Sequence, residues 1–450
     1  MPFDLFSLVR SPFQRQHSRA EVAVLLGFAL FVAACPTHRV WAQRSLDNAN
    51  SSLTPEERAA AKQQDATRKL QRAQLRRETF GIVPEDDQSA LAIDYRSSFE
   101  TFRNAIADMD EVQSRLQVEP NLNVTKRDEF FLEWSKGLEI ANKARENWLL
   151  KASQLYSSDT EKYVSIAETL IEMLIADVKL DRFDPWLVPC QTLVNAGKFQ
   201  DETLLQSAGF VALAHCDLVL LEKCWGPLQQ RGILSPMEVS LLGQIDKLRA
   251  SWEREQKFRE EDAKRGDNPL VEFQTSKGRI VVELFEDNAP EAVNSFIYLV
   301  EKKFYNDRSF FRVEQHTCAQ TGCEKGDGSS NAGYVFAGEA KKENRRDHFR
   351  GSVSIALGVD EATDAVDQNS GGSQFYFCFL PLLHLNEDFT VFGRIVEGQP
   401  SINLLRVMNL ANEKEKKDTS KNPDFIYSAK VIRKRDHEYK PNVLAGKLYR

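Results

Sequence analysis

Leu270-Val271-Glu272-Phe273-Gln274-Thr275, then Ser276-Lys277-Gly278, then Arg279-Ile280-Val281-Val282-Glu283-Leu284 is the stretch whose reading decides the fold. Apolar and polar side chains alternate on both sides of a short turn, the two-residue period of paired strands, so the segment reads as a β-hairpin. Before it, from about Leu91 to Arg265, the apolar period is helical, and Asn268-Pro269 marks the boundary between the two regimes. After the hairpin, Pro290 is placed to open a helix with Val293, Phe296, Ile297 and Val300 on one face. Short strands continue through Phe392, and Ile426 to Arg433 reads as a closing strand. Many antiparallel strands with two helices imply a closed antiparallel β-barrel capped by those helices.

Working back toward the amino terminus, Tyr163, Ile166, Ala167, Leu170, Ile171, Leu174 and Val178 recur at helical spacing and form one apolar stripe that must pack on a neighbour. Asp201 is placed to cap a helix carrying Leu204, Leu205, Ala208, Val211 and Leu218, with Gly226-Pro227 breaking the pattern. Ser235-Pro236-Met237-Glu238 is a capping box opening a helix through Leu241, Leu242, Ile245 and Leu248. The region 91–265 is thus an all-α unit, either an irregular bundle or a repeat-like array. Trp134, Trp148, Trp186 and Trp225 are read as core residues rather than a ligand groove, because aromatics at helical spacing are usually packed inside.

Farther back, Arg10, Arg15 and Arg19 precede the apolar run Val22 to Ala34, which is short for a membrane span and reads as an export signal. Cleavage after Ala42 is the preferred reading of residues 1–42; a lipid-anchored Cys35 is the alternative. Either places the protein outside the cytoplasm, in the periplasm or cell envelope. Residues 43–90 read as a polar helix and linker, with a capping box at Thr54-Pro55-Glu56-Glu57. At 450 residues the chain needs more than one core, and a net charge of -7 argues against nucleic-acid binding, which requires a concentrated basic surface. With Cys35 removed, the remaining six cysteines can pair in an oxidising compartment. Cys318 and Cys323 are the better candidate pair; Cys216 and Cys224, eight residues apart, are too distant unless the helix breaks between them. No His/Cys cluster has zinc spacing, so neither a metal nor another cofactor is expected.

Five segments, in order, resemble the cyclophilin family of peptidyl-prolyl cis-trans isomerases. They are Asn288 to Phe296 (NAPEAVNSF), Phe304 to Val313 (FYNDRSFFRV), Arg350 to Ala356 (RGSVSIA), Asn369 to Phe377 (NSGGSQFYF) and Phe389 to Gly398 (FTVFGRIVEG). The resemblance spans about Pro269 to Tyr439, so residues 268–440 are expected to form the isomerase domain, with 441–450 as a tail. It implies rotation of X-Pro bonds in proline-containing polypeptide clients, with protein folding as the setting and exported or envelope proteins as the substrates. The helical region would then recruit clients or bind a further protein.

By the same resemblance Arg312 matches the catalytic arginine and Gln320, eight residues on, the glutamine that orients it. Gln374 matches the glutamine beside the peptide groove, Tyr376 stands for the phenylalanine flooring the proline pocket, Leu385 matches the pocket leucine, and Ala356 lies on the strand where substrate backbone docks. Four further positions depart from the family pattern. Thr317 and Cys318 replace phenylalanine and methionine, His384 replaces an aromatic, and Phe389 replaces a histidine. Smaller, more polar walls should hold the proline ring less tightly, by about 1.5 to 3 kcal/mol for each large apolar side chain so replaced. An active isomerase and a catalytically weakened cyclophilin-like peptide-binding scaffold are the two readings this leaves open.

Overall fold

The computed structural model describes residues 86–118, 124–359, 365–412 and 422–444, with the single residues 83 and 363. The expected export signal over 1–42, its alternative anchor Cys35 and the polar helix opening at Thr54 lie outside the described residues. Helices α1 (Ala90–Val118) and α2 (Val124–Ser158) form a long pair, fastened where Trp148 stacks on Phe102 with centroids 5.5 Å apart. The shorter α3 (Val164–Val178), α4 (Leu187–Ala196), α5 (Glu202–His215), α6 (Leu218–Gln230), α7 (Pro236–Gly243) and α8 (Ile245–Arg265) follow. Their lengths run from 8 residues in α7 to 21 in α8, an irregular bundle in which Trp148, Trp186 and Trp225 are fully buried.

The local signals for these helices hold in detail. Asp201 accepts the Thr203 and Leu204 amides at 2.9 and 3.0 Å, Ser235 and Glu238 complete a capping box, and the stripe from Tyr163 to Val178 faces the core. The break expected at Gly226-Pro227 falls elsewhere. The chain turns at Cys216, with φ 55, and α6 runs through Pro227. Pro227 and Lys223, whose carbonyl loses its partner, share the exposed side of the helix, where the missing bond costs little.

The carboxy-terminal half is a curled antiparallel sheet of ten strands. In chain order they are β1 (Leu270–Thr275), β2 (Gly278–Leu284), β3 (Arg308–Ser309), β4 (Arg312–Glu314), β5 (Cys318–Thr321), β6 (Ser352–Ile355), β7 (Phe375–Cys378), β8 (Val391–Glu397), β9 (Met408–Asn409) and β10 (Phe425–Arg433). The lateral order is β3-β10-β1-β2-β8-β6-β7-β5-β4-β9. The sheet therefore has two ends and is an open curl rather than the closed barrel expected. The ends are β3 and β9; β9 lies beside β4, which is separated from β3 only by Phe310-Phe311, two consecutive buried rings that interrupt the ladder. Helix α9 (Pro290–Glu301) fills the curl with Phe296, whose ring lies 5.1 Å from Phe375 and 4.9 Å from Phe392. The second helix, α10 (Gln399–Ile402), is a single turn. The described part of the expected tail is held down, with the Leu444 amide donating to the Val335 carbonyl at 2.9 Å.

The two halves share an apolar and ion-paired boundary. Phe349, Leu380 and Leu383 of the sheet half belong to the same apolar cluster as the helical core. Arg346, wholly buried, donates to both oxygens of Glu255 at 2.8 and 3.0 Å and to Asp262 at 2.9 Å, both on α8, and lies over Phe285. Arg350 makes a fork onto Asp184 with both bonds at 2.7 Å. Removing one partner of such a buried group strands the others without water, so Arg346→Met should destabilise the protein by about 3 to 5 kcal/mol. Urea titration with both tryptophan fluorescence and circular dichroism is the check; an unchanged midpoint would show that the buried carboxylates find other partners.

Candidate active site

Strands β4 and β5 form a tight hairpin in which Arg312 faces Gln320 directly, while β5 pairs with β7 so that Gln320 lies opposite Tyr376. This register brings residues from three strands, β4, β5 and β7, onto one patch. Arg312 donates from Nε and Nη2 to the two oxygens of Glu314 at 2.9 and 2.7 Å, and from Nη1 to Gln320 Oε1 at 3.3 Å. Gln320 Nε2 donates to Gln374 Oε1 at 3.0 Å, and Gln374 Nε2 donates to the carbonyls of Gly328 and Ser330, both at 2.9 Å. Each amide is oriented by the next, so the guanidinium plane is set by a directed chain of donors and acceptors.

The bonds named leave one N–H on each terminal nitrogen of Arg312, and the Glu314 carboxylate beside it raises the guanidinium pKa further, so the group stays charged. The side chain is 38% exposed, open enough to meet a ligand yet held by its neighbours. Gly322 lets the chain after β5 close on this relay. Its φ is 85, and a Cβ there would come within 2.2 Å of the Ser373 carbonyl.

Beside the relay, Cys318, Tyr376, Cys378 and Leu382 form a small buried apolar cluster onto which Ala356, Leu385 and Phe389 pack. Phe389 meets the Tyr376 ring edge-on at 6.2 Å. Thus Arg312, Gln320, Gln374, Cys318, Tyr376, Ala356, Leu385 and Phe389 converge. Thr317 sits half-buried at the hairpin turn, and His384 is exposed on the 3-10 turn Leu383–Leu385, outside that cluster.

The expected pairing of Cys318 with Cys323 does not fit this geometry. Cys318 stands across the ladder from Cys378, whereas Cys323 lies past the end of β5 with its Sγ 3.2 Å from Ser330 Oγ. An extended strand advances about 3.3 Å per residue, which carries the two apart. The six described cysteines are free thiols, and burial pushes Cys318 up to about 11.

Sequence reasoning missed two contributors. Glu314, which grips Arg312, follows no motif; a carboxylate two residues along a strand from an arginine, on the same face, is the only signal it offered. His348 is the other. Asn386 Oδ1 already accepts the His348 backbone N–H at 2.9 Å, so it is an oxygen, and the ring Nδ1 at 2.8 Å must carry a proton to donate to it. Nε2 is then the acceptor, and the Tyr376 hydroxyl donates to it at 3.0 Å. A tyrosine where a phenylalanine would suffice needs such a partner when buried, and that was the available clue.

Burial lowers the His348 pKa to about 4. Between that value and the ordinary 6.5 of an unfolded histidine, the unfolded chain binds the extra proton, so stability falls as pH drops through this window. The loss should approach about 3 kcal/mol by pH 4. Denaturation at a series of pH values should show the wild-type slope exceeding that of His348→Gln; parallel slopes would mean that His348 titrates normally.

Comparison with known proteins adds the family. A model described as cyclophilin type peptidyl-prolyl cis-trans isomerase/CLD matches residues 270–431. Among solved structures, a cyclophilin type isomerase of Cryptosporidium parvum is 25% identical and covers 36% of this chain and 97% of its own, with a TM-score of 0.31. A peptidyl-prolyl cis-trans isomerase of Helicobacter pylori is 39% identical over 127 residues, 28% of this chain and 72% of the relative. One from Synechococcus elongatus is 31% identical over 160 residues, 36% of this chain and 94% of the relative. Together with the family model and the relay ending on Arg312, these last two relatives establish that the chain belongs to the cyclophilin-type peptidyl-prolyl cis-trans isomerases.

Proposed function

We propose that the protein catalyses rotation about X-Pro bonds of exported or envelope polypeptides, with Arg312 as the catalytic residue and Gln320 as its orienting partner. The observation carrying this reading is the relay from Gln374 through Gln320 to Arg312, set beside the apolar cluster of Cys318, Tyr376, Cys378 and Leu382. Periplasmic or envelope location rests on the arginine-flanked apolar run Val22 to Ala34 and sets the client class.

The chemistry needs no bond cleavage. Amide resonance raises a barrier of about 18 to 20 kcal/mol, and it collapses as the peptide twists and the prolyl nitrogen regains its lone pair. A fixed cation donating to that nitrogen stabilises the twisted amide and gains little from either planar isomer, which is what selective stabilisation of a transition state requires. Holding Arg312 on two sides avoids reorganising it during rotation. Cys318, Tyr376, Leu385 and Phe389 provide the apolar seat for the ring, Ala356 and Gln374 border the peptide backbone, and Thr317 and His384 form its rim.

Exchange NMR on an X-Pro peptide tests the assignment. Arg312→Ala should lower kcat/KM by about 10²- to 10³-fold, the usual cost of removing one preorganised donor. A wild-type rate in that variant would move the site elsewhere. Thr317→Phe, which adds an apolar wall at a half-buried position, should raise kcat/KM by up to about tenfold, mainly through KM; no gain would mean that Thr317 does not line the ring's seat.

A further inference from the structure

The turn joining β4 to β5 is held from outside its own domain. His316, at its tip, has φ 59, a left-handed conformation disfavoured for a residue with a Cβ. Asp181, in the loop after α3, accepts the His316 backbone N–H on Oδ1 at 3.0 Å and on Oδ2 at 3.1 Å. The imidazole Nδ1 lies 2.6 Å from the same Oδ1, and the ring stacks on Phe210 with centroids 4.7 Å apart. Next to it, the Gln315 side-chain amide donates to the Lys179 carbonyl.

The support is itself rigid. Asp181 is 5% exposed, its own φ is 57, and its amide bonds to the Val178 carbonyl at 3.1 Å. Beneath this loop Asp177 is buried among Arg145, Trp186 and Arg182. By contrast the hairpin it holds is slight, with strands of three and four residues. That hairpin carries Arg312 and Gln320 on one rung and Cys318 two residues away.

We propose that Asp181 is a positioning residue for the isomerisation. Through His316 it sets the angle at which the hairpin presents Arg312 and Gln320, so the helical region completes the active site of the neighbouring domain. The inference rests on the assignment of Arg312 as the donor. The ladders to β9 and β7 hold the far side of the hairpin, so a shift at its turn would displace the guanidinium from the prolyl nitrogen by a small distance while leaving in place the part of the apolar seat built from β7 and the segment 382–389. The loss should therefore fall on kcat rather than on KM.

The experiment measures kcat and KM by exchange NMR across peptide concentrations for the whole protein and for Asp181→Ala, Asp181→Asn, Asp184→Ala and Arg312→Ala. In parallel it records the Nε–H resonance of Arg312. Asp181→Ala should lower kcat about tenfold, because small misplacements of a catalytic group are costly, and should broaden the Arg312 resonance with KM changed less than about twofold. Asp181→Asn, which keeps an oxygen for the His316 amide, should recover most of that loss. Asp184→Ala loosens the same domain boundary at Arg350 and should leave kcat near wild type. Unchanged kcat in a folded Asp181→Ala protein, or an equal fall in Asp184→Ala, overturns the proposal. A wild-type rate in Arg312→Ala would instead overturn the catalytic assignment beneath it, and the inference with it.

Discussion

A guanidinium buried away from water cannot stand without carboxylates around it, and Arg346 finds its carboxylates in the other half of the molecule. Glu255 and Asp262 come from α8, the last helix before the sheet, so any docking that moved the halves out of this register while keeping the boundary dry would strand three charges. The same logic recurs at Arg350 with Asp184 and, in a milder form, at the His316 amide with Asp181. Such pairs add little net stability over a well-packed apolar boundary, but they specify one docking geometry. A sliding apolar surface would tolerate many.

That fixed docking matters because of where it falls. Residues 179 to 184, in and just after the loop that follows α3, lie against the β4–β5 turn and Arg350 just before β6, the side of the sheet on which the candidate site is built. The apolar continuity of Phe349, Leu380 and Leu383 with the helical core extends this packing beneath the segment that carries Leu385 and Phe389. These loops are held by the chain that precedes the sheet.

Within the site, polar order and apolar softness are divided. The relay Gln374–Gln320–Arg312–Glu314 is joined bond by bond, whereas the apolar cluster beside it holds the Cys318 thiol and the Tyr376 hydroxyl. The Tyr376 hydroxyl is tolerated because the neutral His348 ring accepts its proton, itself oriented by Asn386.

Periodicity alone placed the helices, the first hairpin and the boundary between halves, because burial on one face imposes a period that survives whatever the neighbour is. Local chemistry also placed the caps at Asp201 and Ser235, since a helix end must satisfy its own amides within a few residues. The motif series located Arg312, Gln320, Gln374 and Tyr376, but only the strand register shows that they meet. Cys318 stands across the ladder from Cys378 rather than near Cys323, the chain turns between two helices at Cys216 rather than breaking at Gly226, and Phe310-Phe311 interrupts the ladder between β3 and β4, all outcomes of which side chains find room in the core. His348 and Asp181 were hidden because their partners lie up to 135 residues away, whereas Glu314, two residues from Arg312, offered only a same-face spacing that many strands share. What the sequence determined by itself was period, caps and motif; the tertiary structure decided who faces whom, because burial and hydrogen-bond satisfaction are settled only when the whole chain has packed.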